Sequence, residues 1–235
     1  LKLRYKNSTL GFLWSFLNPL FLMLIYFIVF GKIFPRMPGD NYAIYLLSGL
    51  LIWNFISVSL TNSAYSLLSN SALIRKIYFP REVFPIATVL SSMINLLLSL
   101  VPFFLILGIF HRKVFSPSIL YLPFGLLIAS MMSLGLCFFI SVASVYFRDF
   151  LQVLENLLLA LFFLTPIIYT EAFIFPKFQP WMAFLFKLNP MYTIIQFFHA
   201  ILYDGISPSA YLIFSSFFYA VFFLLSGWYF FKKHE

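Results

Sequence analysis

The stretch VFSPSILYLPFGLLIASMMSLGLCFFISVASVYF (residues 114–147) contains no charged side chain. A helix needs about 20 apolar residues to cross the hydrocarbon of a bilayer, and this run exceeds that length. Uncharged runs also cover 7–31, 41–74, 83–110 and 205–231, with a shorter one at 156–170. They are solidly apolar, not alternating, and most are too long for the tilted strands of about ten residues that build a membrane barrel. The chain is 63% hydrophobic and 9% charged, with 34 Phe and 14 Tyr among 235 residues; a soluble domain is about a quarter charged. The pattern predicts an all-α membrane protein with six transmembrane helices, near 19–34, 42–66, 84–109, 118–145, 151–170 and 209–231. Six spans leave no room for a soluble catalytic domain, so residues 1–235 read as a single transmembrane domain.

The segments between the spans carry their own patterns. In LKLRYKNSTLGFLWSFL (1–17), Arg4, Asn7, Ser8, Gly11 and Ser15 share one narrow helical stripe, and Leu3, Leu10, Leu13 and Trp14 cover the opposite arc. That predicts an amphipathic helix in the membrane interface, with Arg4, Lys2 and Lys6 towards headgroups and Trp14 towards lipid. No cleavable signal peptide is expected there, because no small-residue cleavage site follows a short apolar core. Asn18-Pro19 then supplies a cap and a first-turn proline for the first span. The second half of the second span, SVSLTNSAYSLLSNS (57–71), is rich in hydroxyls and amides, which predicts a face towards protein or water. Pro102 is expected to kink the third span, and Thr165-Pro166 to break the fifth near its end. Residues 171–208 are apolar but interrupted by Pro176, Pro180, Pro190 and Pro208, which predicts two short re-entrant or interfacial helices, the second starting at Asn189-Pro190.

Placing both termini in the cytoplasm puts nine of the fifteen basic residues inside: Lys2, Arg4, Lys6, Arg75, Lys76, Arg81, Arg148, Lys232 and Lys233. The net charge of +8 is therefore assigned to topology and anionic lipid, since no basic groove suited to nucleic acid is formed. Cys137 stands alone inside an apolar run and reads as a buried packing thiol.

What is missing narrows the function. The one Gly-Lys pair, Gly31-Lys32, is followed by Ile, so there is no G-x-x-x-x-G-K-[ST] phosphate loop. His111, His199 and His234 are far apart and none has metal-ligand spacing, so no metal site and no catalytic residue is expected. No acidic residue lies well inside a span, which argues against a carrier driven by protons or sodium. Any energy source is expected on another chain.

The segment LIRKIYFPREVFP (73–85) interrupts this apolar chain with Arg75, Lys76, Arg81 and Glu82. Each Arg or Lys at the bilayer centre costs about 2.5–3.5 kcal/mol, so 75–82 must stand outside the hydrocarbon. Ser71 can cap a short helix and Pro80 can end it. Two readings stay open on pattern alone. One is a positive-inside topology signal. The other is a docking knob for a soluble partner, which would use Ile77, Tyr78 and Phe79 beside the charges.

Taken together, LKLRYKNSTLGFLWSFLNPLFLMLIYFIVFG (1–31), LIRKIYFPREVFP, YFRDF (146–150) and NPMYTIIQFFHAILYDG (189–205) resemble the permeases of type 2 ABC exporters of polysaccharide, such as O-antigen, capsule or teichoic acid. The resemblance covers essentially the whole chain. It implies a permease in the bacterial cytoplasmic membrane that works as a homodimer with two copies of a cytoplasmic ABC ATPase, which would bind the ATP and Mg. The permease itself would be no enzyme and hold no cofactor. It implies that 1–17 is the interface helix and that 73–82 is the coupling helix, with Leu73, Arg75, Lys76, Ile77, Phe79, Pro80, Arg81 and Glu82 seated on the ATPase. Residues 171–205 would be outer-side gate helices, and Tyr26, Phe30, Phe34 and Tyr169 would line the path of a lipid-linked polysaccharide. Packing against neighbours is the competing role for such rings. A drug or lipid cargo, or an integral-membrane glycan-processing enzyme, are the rival functions.

Overall fold

The computed structural model describes residues 42–71, 80–110, 116–147, 149–171 and 179–234, with isolated positions at 21, 24, 25, 28, 29 and 74. The expected interface helix and, apart from those isolated positions, the expected first span lie outside the described residues. So do Arg148, 172–178 and most of the charged segment before Pro80.

The described residues are helical, with no strand among them. Helix α1 covers Tyr42–Ser69, α2 Val83–Phe110, a 3-10 turn Pro117–Tyr121, and α3 Leu122–Tyr146. They are followed by α4 at Phe150–Phe163, α5 at Pro180–Leu188, α6 at Pro190–His199, a π-helical turn at Ala200–Asp204, and α7 at Ala210–His234. Among the described residues, four stretches are long and apolar enough to cross a membrane: Tyr42–Ser69, Val83–Gly108, Pro117–Tyr146 and Ala210–His234. They match four of the six expected spans, and α2 continues through Pro102.

The expected fifth span is helical over part of its length only, and the break falls beside Thr165-Pro166 as expected. Its helix, α4, has 14 residues and ends at Phe163, not near residue 170. Pro166 has no N–H and its ring crowds the carbonyl four residues earlier, which favours a break here, although α2 carries Pro102 without ending. The chain beyond is not loose: Thr165, Pro166 and Ile167 are buried.

Helix α1 is the axis of the packing. It lies against α2, α3, α4 and α6, and most of its residues are buried. Ile52, Ile56, Phe103, Ile128, Met132 and Phe198 form the heart of one core, and Leu67, Phe138, Val142 and Phe231 a second, smaller one. Lipid would not drive such helices together by hydrophobicity, so close backbone approach and hydrogen bonds must contribute. Both are present. The Ser63 hydroxyl donates to the Cys137 carbonyl at 3.1 Å, and the Cys137 thiol donates back to the Ser59 carbonyl at 3.4 Å, joining α1 to α3. The lone cysteine is thus buried, as its setting predicts. Between α3 and α7, Gly135 and Gly227 let the backbones touch: a Cβ on Gly227 would lie 2.1 Å from the Gly135 carbonyl oxygen.

Candidate functional site

The two ends of the bundle are built differently. At one end, the carbonyls of Pro80 and Arg81 accept from the amides of Val83 and Phe84, so the proline stop turns directly into the first turn of α2. Glu82 sits at that N-terminus, where a carboxylate favours the helix dipole. It accepts from Lys232 Nζ at 2.6 Å and from Trp228 Nε1 at 3.2 Å, both in α7. The ion pair is partly exposed and contributes at most about 1 kcal/mol. Its consequence is geometric: the end of the charged segment is tied to the last turns of the chain. Phe84 and Ile86 reinforce the tie by packing on the smaller core with Phe231. Tyr146, ending α3, faces His234 with ring centroids 6.3 Å apart, so residues 82, 146 and 234 share this end.

Of the residues singled out from the sequence, Pro80, Arg81 and Glu82 stand here, with Arg81 and Pro80 exposed and Glu82 half-buried. Leu73, Arg75, Lys76, Ile77 and Phe79 lie outside the described residues, as do Arg4, Lys6, Trp14, Tyr26, Phe30 and Phe34. Tyr169 is at the opposite end of the bundle. Its hydroxyl donates to the Phe163 carbonyl at 2.7 Å and stabilises the end of α4.

That opposite end is organised around the non-helical segment 164–170. Its carbonyls would be costly in a dry environment if unmet. Tyr42 donates its hydroxyl to the Ile168 carbonyl, and the Tyr45 hydroxyl lies 2.9 Å from the carbonyls of both Pro166 and Tyr169. Two tyrosines one turn apart at the start of α1 thereby hold a segment more than a hundred positions away. Asn189 works from the other side: its carboxamide nitrogen reaches Thr165 Oγ1 at 3.1 Å, while its oxygen caps α6 by accepting from Met191 N at 2.9 Å. The cap and Pro190 at the first turn form as Asn189-Pro190 predicts.

Helix α6 is buried against α1. His199 lies under Tyr45 with ring centroids 4.0 Å apart, and burial, opposed in part by the Tyr45 backbone, pushes its imidazole down to about 3. The Tyr192 hydroxyl donates to Glu171 Oε1 at 2.7 Å. Asp204 closes the π turn, its carboxyl pushed up by burial and, less, by the charge of Glu171. Gly205, at φ 67°, turns the chain out towards α7. Two open grooves flank α5. One, of about 640 Å³, is lined by Phe184, Lys187, Tyr211, Phe214, Phe218 and Tyr219; the other, of about 510 Å³, by Leu161, Leu164, Leu185 and Asn189 among others.

Among the described residues no three His, Cys, Asp or Glu side chains gather as a metal site. The arrangement offers a charged, tied-down end, a stitched and proline-broken opposite end, and long helices between them. The tyrosine pair and the Glu82–Lys232 tie escape sequence reading. Only YAIY (42–45), with two hydroxyls at helical spacing where a span begins, gave a local hint.

Residues 1–203 match the family described as ABC-2 type transporter. The chain is 33% identical over 210 residues to the O-antigen export system permease protein RfbA of Myxococcus xanthus, covering 89% of this chain and 79% of that protein. It is 29% identical over 215 residues to the protein of the same name from Klebsiella pneumoniae, covering 90% and 80%. It is also 29% identical over 204 residues to the polysialic acid transport protein KpsM of Escherichia coli, covering 83% and 75%. The chain belongs to the ABC-2 type transporter family.

Proposed function

We propose that this ABC-2 family member is the membrane-spanning subunit of an ATP-driven exporter that moves a lipid-linked polysaccharide across the bacterial cytoplasmic membrane. The observation that carries the reading is the likeness, over four-fifths or more of the chain, to proteins named for O-antigen export and polysialic acid transport. In this reading the chain has six spans with both termini cytoplasmic, and works as a homodimer with two copies of a separate ATPase that holds ATP and Mg. It carries out no reaction itself. Residues 1–17 lie in the interface through Arg4, Lys6 and Trp14. Residues 73–82 seat on the ATPase through Leu73, Arg75, Lys76, Ile77, Phe79, Pro80, Arg81 and Glu82. The helices within 171–205 re-enter from the outer side as a gate, and Tyr26, Phe30, Phe34 and Tyr169 line the path.

The tie from Glu82 to Lys232 and Trp228 supports this division of labour. Force delivered at 73–82 has a direct contact with α7, and the Tyr219 hydroxyl on α7 donates to the Leu188 carbonyl at the end of α5. A coupling element needs such contiguous, packed contacts to transmit work. The test is reconstitution with the ATPase and a lipid-linked glycan. Wild type should stimulate hydrolysis and export glycan, and Arg75→Glu with Arg81→Glu should hydrolyse ATP without export. Full export by that double variant would overturn the coupling assignment, and transport of only drug-like or simple lipid cargo would overturn the polysaccharide assignment.

A further inference from the structure

Helix α1 is buried nearly all round, but one face is open. Asn54, Val58, Asn62, Tyr65, Leu68 and Ser69 are exposed, and Ser57 and Thr61 half-exposed. At about 100° per residue these positions fall within one sector of about 140°. The sector is polar along most of its length although its helix belongs in a membrane. Asn54 is not a terminal residue: it lies about 18 Å along a helix of about 42 Å, near mid-depth, and Asn62 about 12 Å further.

The hydroxyls on this face are partly occupied. Ser57 donates to the Asn54 carbonyl at 3.4 Å, and Thr61 to the Ser57 carbonyl at 2.9 Å. Among the described residues, the carboxamides of Asn54 and Asn62 and the hydroxyl of Tyr65 make no hydrogen bond. Facing acyl chains, the two carboxamides would lose their water with nothing in return. Elsewhere on α1 the polar side chains turned inward do find carbonyls, as Ser48, Ser59, Ser63 and Ser66 do. A second copy packed on this face is the other way to satisfy the stripe. In a two-fold contact the two amides, about 80° apart around α1, could not both meet their own mates on the axis, and each would need another polar partner on the second copy. Water and a hydrated, many-hydroxyl chain can reach both.

We propose that the Asn54–Thr61–Asn62–Tyr65 face of α1 borders a water-filled corridor and makes exchangeable hydrogen bonds to the hydroxyls of the passing glycan. The assignment rests on the polysaccharide-export reading above. Paired donors and acceptors spaced along a helix suit a repeating chain, since each sugar can release one amide as it meets the next. Binding must be weak at every position for the chain to move.

The test uses the full chain assembled with its ATPase in liposomes. Single cysteines replace Asn54, Thr61 and Tyr65, and, as lipid-facing controls, Leu97 and Leu105, exposed on α2. A charged, membrane-impermeant thiosulfonate reports access to water, and unsubstituted protein sets the background from buried Cys137. The stripe positions should react at least tenfold faster than Leu97→Cys, and lipid-linked glycan should slow them several-fold. Reaction as slow as at Leu97→Cys in a preparation that still exports glycan overturns the corridor and leaves the export reading intact. High-yield disulfides between copies at Asn54→Cys, without labelling, overturn it in favour of a packed dimer face. Fast labelling that only a non-carbohydrate amphiphile blocks removes the glycan assignment and the export reading together. Asn54→Leu with Asn62→Leu supplies a second measure. Leucine suits lipid, so a lipid-facing stripe predicts unchanged export, whereas the corridor predicts a loss of at least fivefold with normal yield and ATPase association.

Discussion

Of the groups that stitch the break after α4, the Tyr45 hydroxyl meets two carbonyls at once. Tyr45 meets the carbonyls of Pro166 and Tyr169, which the broken helix leaves without amides, and it does so from a buried position. Tyr45→Phe keeps the ring against His199 and Tyr203 and removes only the donor. Leaving buried carbonyls unmet costs about 1–3 kcal/mol, the full desolvation of the orphaned group, not the small net worth of an exchanged bond. The variant should therefore melt earlier in detergent, whereas Tyr229→Phe, at an exposed position on α7, should change little. Equal melting of the two variants would mean that the Tyr45 hydroxyl adds nothing to what Tyr42, Asn189, Tyr192 and packing provide. Only half of this arrangement is readable from the residues. Thr165-Pro166 announces a break through proline's missing N–H, but the donors that make the break affordable sit more than a hundred positions earlier, where tyrosine at a span end reads equally well as an interfacial anchor.

Among the elements, α3 and α7 form the closest pair, and the reason is Gly135 against Gly227. Replacing Gly by Ala inside a helix normally helps by about 1 kcal/mol through propensity. Here the sign reverses. A Cβ on Gly227 would sit 2.1 Å from the Gly135 carbonyl oxygen, and one on Gly135 would sit 2.2 Å from the Phe223 backbone. Neither obstacle is a flexible side-chain tip, so the helices must separate, and overpacking of this kind costs about 1–3 kcal/mol or more. Gly227→Ala should lower folded yield and melting temperature; a variant as stable as wild type would show that α7 is free to shift. The crossing was not legible, because the two glycines are far apart in sequence and neither lies in a small-xxx-small pair with another glycine. Four of the spans were legible, since solvent sets their length and composition locally. Helix starts were too, as at Asn189-Pro190, where cap and proline act on their own neighbours. What escaped were pairings between elements: Glu82 with Lys232, Tyr45 with Pro166, Gly135 with Gly227.

For the whole molecule, the consequence turns on α4. Its 14 residues rise about 21 Å, short of the roughly 30 Å of hydrocarbon. Helix length alone would make it a dip into one leaflet. Yet its start follows Tyr146, which faces His234 at the end shared with Glu82. Its continuation carries Ile168 and Glu171 to the opposite end, where Tyr42 and Tyr192 bind them. The turns and bends after Phe163 carry the chain the remaining distance, since Ile168 and Glu171 reach Tyr42 and Tyr192 at the far end. Non-helical backbone is stable at that depth where its carbonyls are met, as those of Pro166, Ile168 and Tyr169 are. The chain should therefore cross at 150–171 with a helix for two-thirds of the way and a stitched run of turns for the rest. Gln152 and Gln179 are both exposed, and as single cysteines in sealed vesicles they should be labelled by an impermeant reagent from opposite faces. Lys233→Cys should share the face of Gln152→Cys, as the Glu82–Lys232 end requires. Labelling of Gln152→Cys and Gln179→Cys from one face would make α4 a re-entrant element. The order of the ends in the bundle would then have to be read without a crossing there, and the count of spans would fall to an odd number with the termini on opposite sides.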